Sequence, residues 1–199
     1  DHRDLHSFPT RRSSDLRGEL KSQSPNKPRD FVPLSSIIRT LNNVDSDLLE
    51  YNGTQSRFLF YEGEMKLNNQ ISAAYDSEKN EVVFKNGSDY PVYNLVYVRG
   101  NIVFYLKELN PCEEGFGQMK KKSDNIFISD MVNLGFTIRE AVSFWELWQD
   151  SFYDLSGFEY KENLIYRIPD EMYEKNVSLT FDPLPNKLTR AMYVLVHKK

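Results

Sequence analysis

Residues 80–109 read NEVVFKNGSDYPVYNLVYVRGNIVFYLKEL, and this stretch decides the fold of the chain. Three runs of aromatic and β-branched residues are separated by clusters of Asn, Ser, Asp and Gly, which is typical of an antiparallel sheet. Between the second and third runs, Val98-Arg99-Gly100-Asn101 predicts a tight hairpin, because Gly and Asn tolerate a positive φ. The stretch therefore predicts three antiparallel strands.

The middle run, YPVYNLVYV at 90–98, is mostly apolar on both faces. Strict alternation divides its residues between the faces, with Val92, Asn94, Val96 and Val98 on one, and Tyr93, Leu95 and Tyr97 on the other. We therefore expect a second sheet or helices to pack against this strand.

Strand patterns continue on both sides of this stretch. RFLFYEG at 57–63 and QISAAYD at 70–76 precede it, so 57–109 is predicted to form a β-sandwich-like part. Within 160–199 we expect C-terminal strands in NLIYRIP, VSLTFDP and LTRAMYVLV. Prolines 169, 183 and 185 indicate short or edge strands there. The last run is the longest apolar one, and we expect it to pair centrally.

Residues 124–154 carry the pattern of a helical hairpin. Gly135 is placed to cap a first helix, and Thr137 with Glu140 forms a capping box that starts a second. Apolar residues then recur at helical spacing: Ile138, Ala141, Val142, Trp145, Trp148 and Phe152. The predicted fold class is α+β: an antiparallel β-sandwich-like sheet with an inserted helical hairpin and C-terminal strands, in one globular domain over 31–199.

The N-terminal segment 1–16, DHRDLHSFPTRRSSDL, resembles translated laboratory DNA. It back-translates in one frame into a common high-throughput sequencing adapter, so we interpret it as an artefact and exclude it from fold reasoning. Residues 17–30 are polar and contain prolines, and we expect a linker or a truncated element there. His2 and His6 fall in the artefact, which leaves His197 as the remaining histidine.

Composition argues against several classes of protein. The formal net charge is −4 and the one basic run, Lys120–Lys122, is short, so we expect no nucleic-acid partner. No apolar run reaches the roughly 18 residues of a membrane span, and none is expected in this fragment. Cys112 is the single cysteine and two acidic residues follow it, so neither a disulfide nor a catalytic thiolate is expected.

Two groups of acidic residues are candidates for acid–base chemistry. Glu62 and Glu64 flank Gly63 at a predicted strand end and share one strand face. Asp150 and Asp154 follow each other at helical spacing. Carboxylates on a strand end or on a polar helix face are usually solvated, so these four are weak catalytic candidates.

Trp145 and Trp148 are candidates for binding, because exposed aromatic rings stack on sugars and on partner side chains. Both share the apolar stripe of the second helix, which favours burial in the core instead. Val44-Asp45-Ser46-Asp47 has only part of a calcium-loop pattern. Phosphate-loop, zinc-protease and dinucleotide motifs are missing, so we expect no metal and no cofactor. Asn52, Asn86 and Asn176 begin glycosylation sequons.

Two parts of the chain, taken together, resemble a group of bacterial and archaeal proteins to which no activity is assigned. FLFYEG at 58–63, followed by VVFKNGSDYPVYNLVYV, is similar to the opening of that group, which leads into an immunoglobulin-like segment. GFTIREAVSFWELWQDSFYD and the strands after it are similar to its second half. The resemblance covers about 58–196 and implies a secreted or surface-attached protein, with no catalytic residues to transfer.

These observations favour a non-catalytic extracytoplasmic or cell-surface domain with a structural or adhesive role. Its partner is an unknown protein or glycan. Two alternatives stay open: a carboxylate-dependent glycan hydrolase, and a cytoplasmic module that docks a partner protein on its aromatic helix.

Overall fold

The computed structural model of the chain describes residues 21–23, 48–51, 54–56, 68–123, 125–155, 161–176 and 188–198. For the first three ranges and for positions 173 and 176 it describes the backbone alone. Contacts divide the chain into two compact units, Asp1–Glu64 with Thr137–Leu147, and Met65–Phe136 with Trp148–Lys199. One globular domain over 31–199 stays a prediction, because several parts of that range lie outside the described residues.

Three short strands form an antiparallel sheet in the first unit. They are β1 (Lys21–Gln23), β2 (Leu48–Tyr51) and β3 (Thr54–Ser56), with β2 in the middle. β1 falls inside 17–30, the segment for which the sequence predicts a linker or a truncated element. The predicted adapter artefact, 1–16, and the predicted strand at 57–63 lie outside the described residues.

Two antiparallel sheets pack face to face in the second unit. One has the order β4 (Ile71–Asp76), β5 (Glu81–Asn86), β8 (Glu114–Phe116). The other has the order β11 (Met192–Lys198), β10 (Glu162–Ile168), β6 (Val92–Arg99), β7 (Ile102–Leu109), β9 (Gln118–Lys120). The predicted α+β class with sandwich-like sheets is confirmed.

The core lies between these two sheets. Its members come from both sheets and are almost completely buried: Ile71, Ala73, Val82, Phe84, Val92, Leu95, Tyr97, Phe104, Leu164, Tyr166, Ile168 and Val194. β5 shows the alternation that produces this layer, because successive side chains of a strand point to opposite faces. Phe84 faces the core and is fully buried, whereas Phe116 lies beside Val83 on the outer face and is 67% exposed.

A bulge in β6 changes the faces expected from strict alternation. Two residues of β6, Asn94 and Leu95, lie opposite the single β10 residue Tyr166. Asn94 has φ of 50°, the left-handed conformation that a bulge residue adopts. Val92 therefore shares the core face with Leu95 and Tyr97, although strict alternation places Val92 on the opposite face from them. The predicted face of Val92 was wrong, because one extra residue reverses the phase of the alternation.

Gly117 allows one short segment to join both sheets. β8 pairs with β5, and β9, which begins two residues after β8 ends, pairs with β7. A Cβ atom on Gly117 would lie 2.7 Å from Cε2 of Phe84 and 3.0 Å from Cβ of Phe104. The crossing between the sheets therefore has no room for a side chain.

The C-terminal strands take positions different from those predicted. β10, from the NLIYRIP run, is central and pairs with both β6 and β11, whereas β11 is the edge strand among those described. β10 is buried on both faces, which requires a layer on each side. Pro169 follows β10 directly and therefore ends the strand without interrupting its ladder. The VSLTFDP run, with Pro183 and Pro185, lies outside the described residues.

The predicted helical hairpin corresponds to α1 (Asn125–Leu134) and α2 (Ile138–Tyr153), and a short α3 (Asp170–Asn176) follows β10. Gly135, with φ of 103°, ends α1, and its N–H donates to the Val132 carbonyl at 3.0 Å. At the start of α2, the Thr137 N–H donates to Glu140 Oε2 at 2.7 Å. The Glu140 N–H donates in return to Thr137 Oγ1 at 3.3 Å, so the capping box is confirmed.

Candidate functional site

Four side chains form a row across the five-stranded sheet, on the face opposite the core. Glu108 of β7 pairs with Tyr93 of β6, Tyr93 pairs with Arg167 of β10, and Arg167 pairs with Tyr193 of β11. Residues paired across antiparallel strands have neighbouring side chains. Arg167 is 9% exposed, so a guanidinium lies inside an otherwise mostly apolar strand.

Helix α1 brings an acid onto this row. Asp130 accepts two hydrogen bonds from Arg167, from Nε to Oδ2 at 2.7 Å and from Nη2 to Oδ1 at 3.1 Å. The Tyr193 hydroxyl donates to Oδ2 as well. The guanidinium carbon lies 4.7 Å from the ring centroid of Tyr93, which is a cation–π contact. Asp130, Arg167, Tyr193 and Tyr93 are called the helix–sheet latch below.

The position of Asp130 follows from the pattern of α1. Phe127 and Met131 lie on the same side of the helix as Asp130, at helical spacing, and all three are buried. The ring of Phe127 packs against Tyr193 with centroids 5.5 Å apart. Apolar packing therefore presses this side of α1 onto the sheet and holds the carboxylate against Arg167.

The electrostatics of the latch favour an ion pair with neutral phenols. Burial alone lowers the pKa of Arg167, but the hydrogen bonds and charge of Asp130 outweigh it, and the pKa rises above its usual value. Burial, followed by the charge of Asp130, raises the pKa of Tyr193 well above its usual range. The same two causes raise the pKa of Tyr105. At neutral pH these tyrosines therefore donate hydrogen bonds and do not act as bases.

A second polar network holds the end of α2. Asn163 is completely buried, and its Nδ2 donates to the carbonyls of Ser151 and Phe152, each at 3.0 Å. The last carbonyls of a helix need such partners from outside the helix. The two carbonyls fix the orientation of the amide, so it is Asn163 Oδ1 that lies 2.7 Å from Nδ1 of His197. Because an amide oxygen only accepts hydrogen bonds, this orientation assigns the proton to His197 Nδ1.

Both networks tie helices to the sheet. In the latch, the fork of Arg167 and both oxygens of Asp130 are matched in the bidentate geometry that makes such pairs strong. In the second network, Asn163 makes two donated bonds and one accepted bond. The arrangement holds α1 and the end of α2 against the sheet.

Of the four acidic candidates, the structure describes two. Asp150 and Asp154 are exposed at the end of α2, where the Asp154 N–H donates to the Asp150 carbonyl at 2.8 Å. Glu62 and Glu64 lie outside the described residues, and so does the partial calcium-loop pattern at 44–47. The combination of a strand glutamate with a helix aspartate therefore stays a prediction.

Trp145 and Trp148 are each partly buried. Trp145 belongs to the first unit and Trp148 to the second. Trp148 stacks on Phe152 with centroids 5.8 Å apart, and Phe152 in turn packs on Phe127 at 4.8 Å. Trp148 thus continues the aromatic packing between α2 and α1, and a role of either tryptophan in binding stays a prediction.

The Asn86 sequon is closed in the folded protein. Asn86 is 1% exposed, and its Nδ2 donates to the carbonyls of Tyr90 at 2.8 Å and Leu109 at 3.1 Å. A glycan is attached through this same nitrogen, so the folded structure does not accommodate one. Asn52, and the side chain of Asn176, lie outside the described residues.

The described residues contain no group of three or more His, Cys, Asp or Glu side chains placed to hold a metal ion. Within the same part of the chain, every helix is too short or too polar to cross a membrane. Cys112 is exposed. Comparisons with protein-family models, with curated proteins and with solved structures find no match for this chain.

Proposed function

We propose that this chain is a non-catalytic extracytoplasmic or cell-surface domain with a structural or adhesive role. The observation that carries the proposal is the helix–sheet latch. The buried charges of Asp130 and Arg167 neutralise each other in bidentate geometry, and Tyr193 completes the bonding of the carboxylate. Charged groups that are paired with each other in this way hold the helix on the sheet and are not available to act on a substrate.

The architecture supports the same conclusion. An apolar core joins two antiparallel sheets, the latch attaches α1 to the outer face of the larger sheet, and Asn163 holds the end of α2. Each of these features favours one fixed arrangement of the second unit. Such a fixed arrangement suits a domain that presents a surface to a partner, which we take to be a protein or a glycan.

The location is the part of the proposal that rests on the sequence. The resemblance of 58–196 to secreted and surface-attached proteins supports export. Because that group contains an immunoglobulin-like segment, we also propose that this chain contains one. The open reading frame upstream of Arg17 in the source DNA tests this part. A signal peptide or a lipid-attachment cysteine would support export, and a fused cytoplasmic catalytic domain would contradict it.

A turnover screen tests the non-catalytic role. The purified chain is incubated with glycan, ester, phosphoester and peptide substrates, and we expect no turnover that depends on its carboxylates. Turnover lost in Glu62→Gln or Glu64→Gln, and in Asp150→Asn or Asp154→Asn, would overturn the proposal in favour of the glycan hydrolase. Glu146→Gln is the matched control, because Glu146 is an exposed acid on the same helix.

The cytoplasmic interaction module remains the other alternative, because Trp145 and Trp148 are only partly buried. It requires indole rings that a partner can reach. Acrylamide quenching of Trp145→Phe and Trp148→Phe, each with one tryptophan left, measures that access. Quenching close to that of free tryptophan would favour the module, and strong shielding of both rings would count against it.

A further inference from the structure

The turn after β5 contains Asn86-Gly87, and Asn-Gly is the dipeptide in which asparagine loses its amide most readily. In an open chain, the deprotonated backbone nitrogen of Gly87 attacks the side-chain carbonyl carbon of Asn86, because glycine puts no side chain in the way. A new C–N bond closes a five-membered imide, and ammonia leaves with the proton. Water then opens the ring at either carbonyl and gives aspartate or isoaspartate.

In the folded chain both reacting groups are held in place. The Gly87 N–H donates to the Gln70 carbonyl at 2.9 Å, which directs its hydrogen away from the Asn86 side chain. Asn86 Oδ1 accepts from the Ser88 N–H at 2.9 Å and from Ser88 Oγ at 2.6 Å. With its two donated bonds, the amide makes all four hydrogen bonds that it has, while 1% exposed.

We propose that Asn86-Gly87 is a conformationally gated deamidation site. The closed turn prevents attack by the Gly87 nitrogen, and opening of the turn permits it. The reaction takes up water and releases ammonia, so it needs no other reactant. The site therefore converts a transient opening of the segment between β5 and β6 into a permanent chemical change.

The product prevents the turn from closing again. A carboxylate at position 86 has no N–H to donate to the carbonyls of Tyr90 and Leu109, so two buried acceptors face a negative charge. Isoaspartate, in addition, inserts a methylene group into the backbone of the turn. Deamidation should therefore increase opening of the same turn that controls it.

The test follows deamidation of the whole chain by peptide mapping and mass spectrometry, in native buffer and in concentrated guanidinium chloride at one mildly alkaline pH. Asn52-Gly53 is a second Asn-Gly pair and gives an internal reference for the denatured chain. We expect Asn86 to react on the order of 100-fold more slowly in native buffer than in guanidinium. Equal rates at Asn86 under the two conditions would overturn the proposal.

Two variants identify the gate. Ser88→Ala removes one donor to Oδ1 and should raise the native rate at Asn86 by roughly tenfold, with no change in guanidinium. Ser72→Ala, at an exposed position of β4, is the matched control and should leave the rate unchanged. An unchanged rate in Ser88→Ala would show that this network is not the gate.

The variant Asn86→Asp carries the product from the start. Native hydrogen exchange of residues 86–92 should be faster in it than in the wild-type chain, because the turn lacks its two donors. Wild-type protection in Asn86→Asp would contradict the part of the proposal in which the product prevents closure.

Discussion

The two faces of β10 show how one strand satisfies two different layers. Leu164, Tyr166 and Ile168 face the apolar core between the sheets, and the alternating residues Asn163 and Arg167 face the helices. The core face depends on close packing, which has no preferred direction. The helix face depends on directional hydrogen bonds. The core therefore contributes most of the stability, whereas the hydrogen bonds of the polar face determine where each helix docks.

The largest expected effect comes from removing a core ring. Phe84→Ala deletes a fully buried side chain and leaves a cavity, so we expect a loss of about 3–5 kcal/mol in the free energy of unfolding. Phe116→Ala removes the same ring from an exposed position on β8, and should change stability by about 0.5 kcal/mol or less. Urea denaturation of both variants measures the contrast, and similar losses would contradict the assignment of faces.

A somewhat smaller effect is expected on the helix face. Asp130→Ala leaves the buried guanidinium of Arg167 without its acid, and should cost about 3 kcal/mol. The double variant Asp130→Leu with Arg167→Met replaces both charges by apolar groups and should recover most of that loss. A double-mutant cycle by chemical denaturation measures the coupling. If Asp130→Ala were neutral, α1 would not be held by the latch.

Alkaline pH distinguishes the two faces through their tyrosines. On the core face, burial and then the electrostatic effect of Tyr90 raise the pKa of Tyr166. On the helix face, burial and then the charge of Asp130 raise the pKa of Tyr193. The unfolded chain releases these protons first. The free energy of unfolding therefore keeps its full value below about pH 10 and falls above it. The decrease is about 1.4 kcal/mol per pH unit for each phenol that stays protonated in the folded chain but is ionised in the unfolded one.

Absorbance of tyrosinate, followed against pH, checks this sign. Asp130→Asn removes the negative charge next to Tyr193 and should bring the titration of that phenol closer to its usual range. The Tyr166 phenol, on the other face, should be unaffected, and Tyr193→Phe identifies which change in absorbance belongs to Tyr193. Equal effects of Asp130→Asn on both phenols would argue against the separation of the faces.

The sequence predicted the parts of the fold that depend on local pattern. Alternating runs gave β4 to β7, Gly135 gave the end of α1, and the Thr137–Glu140 box gave the start of α2. It did not predict β8 and β9, whose three-residue strands are too short to show a period. Their pairing depends on the room that Gly117 leaves between Phe84 and Phe104, which is a long-range property.

The helix–sheet latch was not predicted either, because it also depends on a long-range contact. Arg167 within the NLIYRIP run, and Asp130 within the apolar stripe of α1, are each a charge on a surface that should be apolar. Either signal alone predicts a buried charge that needs a partner. The two residues are 37 positions apart, however, and only the docking of α1 on the sheet brings them together.

The smallest expected effect concerns Asn94, the bulge residue of β6 at which the alternation of side chains between the two faces of the strand shifts by one residue. Asn94 has φ of 50°, and its Oδ1 accepts from the Tyr105 hydroxyl at 2.7 Å. Asn94→Ala should cost about 1–2 kcal/mol, because it loses this bond and because alanine tolerates the left-handed conformation less well than asparagine. Asn94→Gly loses the same bond but removes the backbone strain, so it should cost less than Asn94→Ala. Thermal unfolding of the two variants separates the contributions. If Asn94→Gly cost as much as Asn94→Ala or more, the left-handed backbone at position 94 would not be a source of strain in the variants.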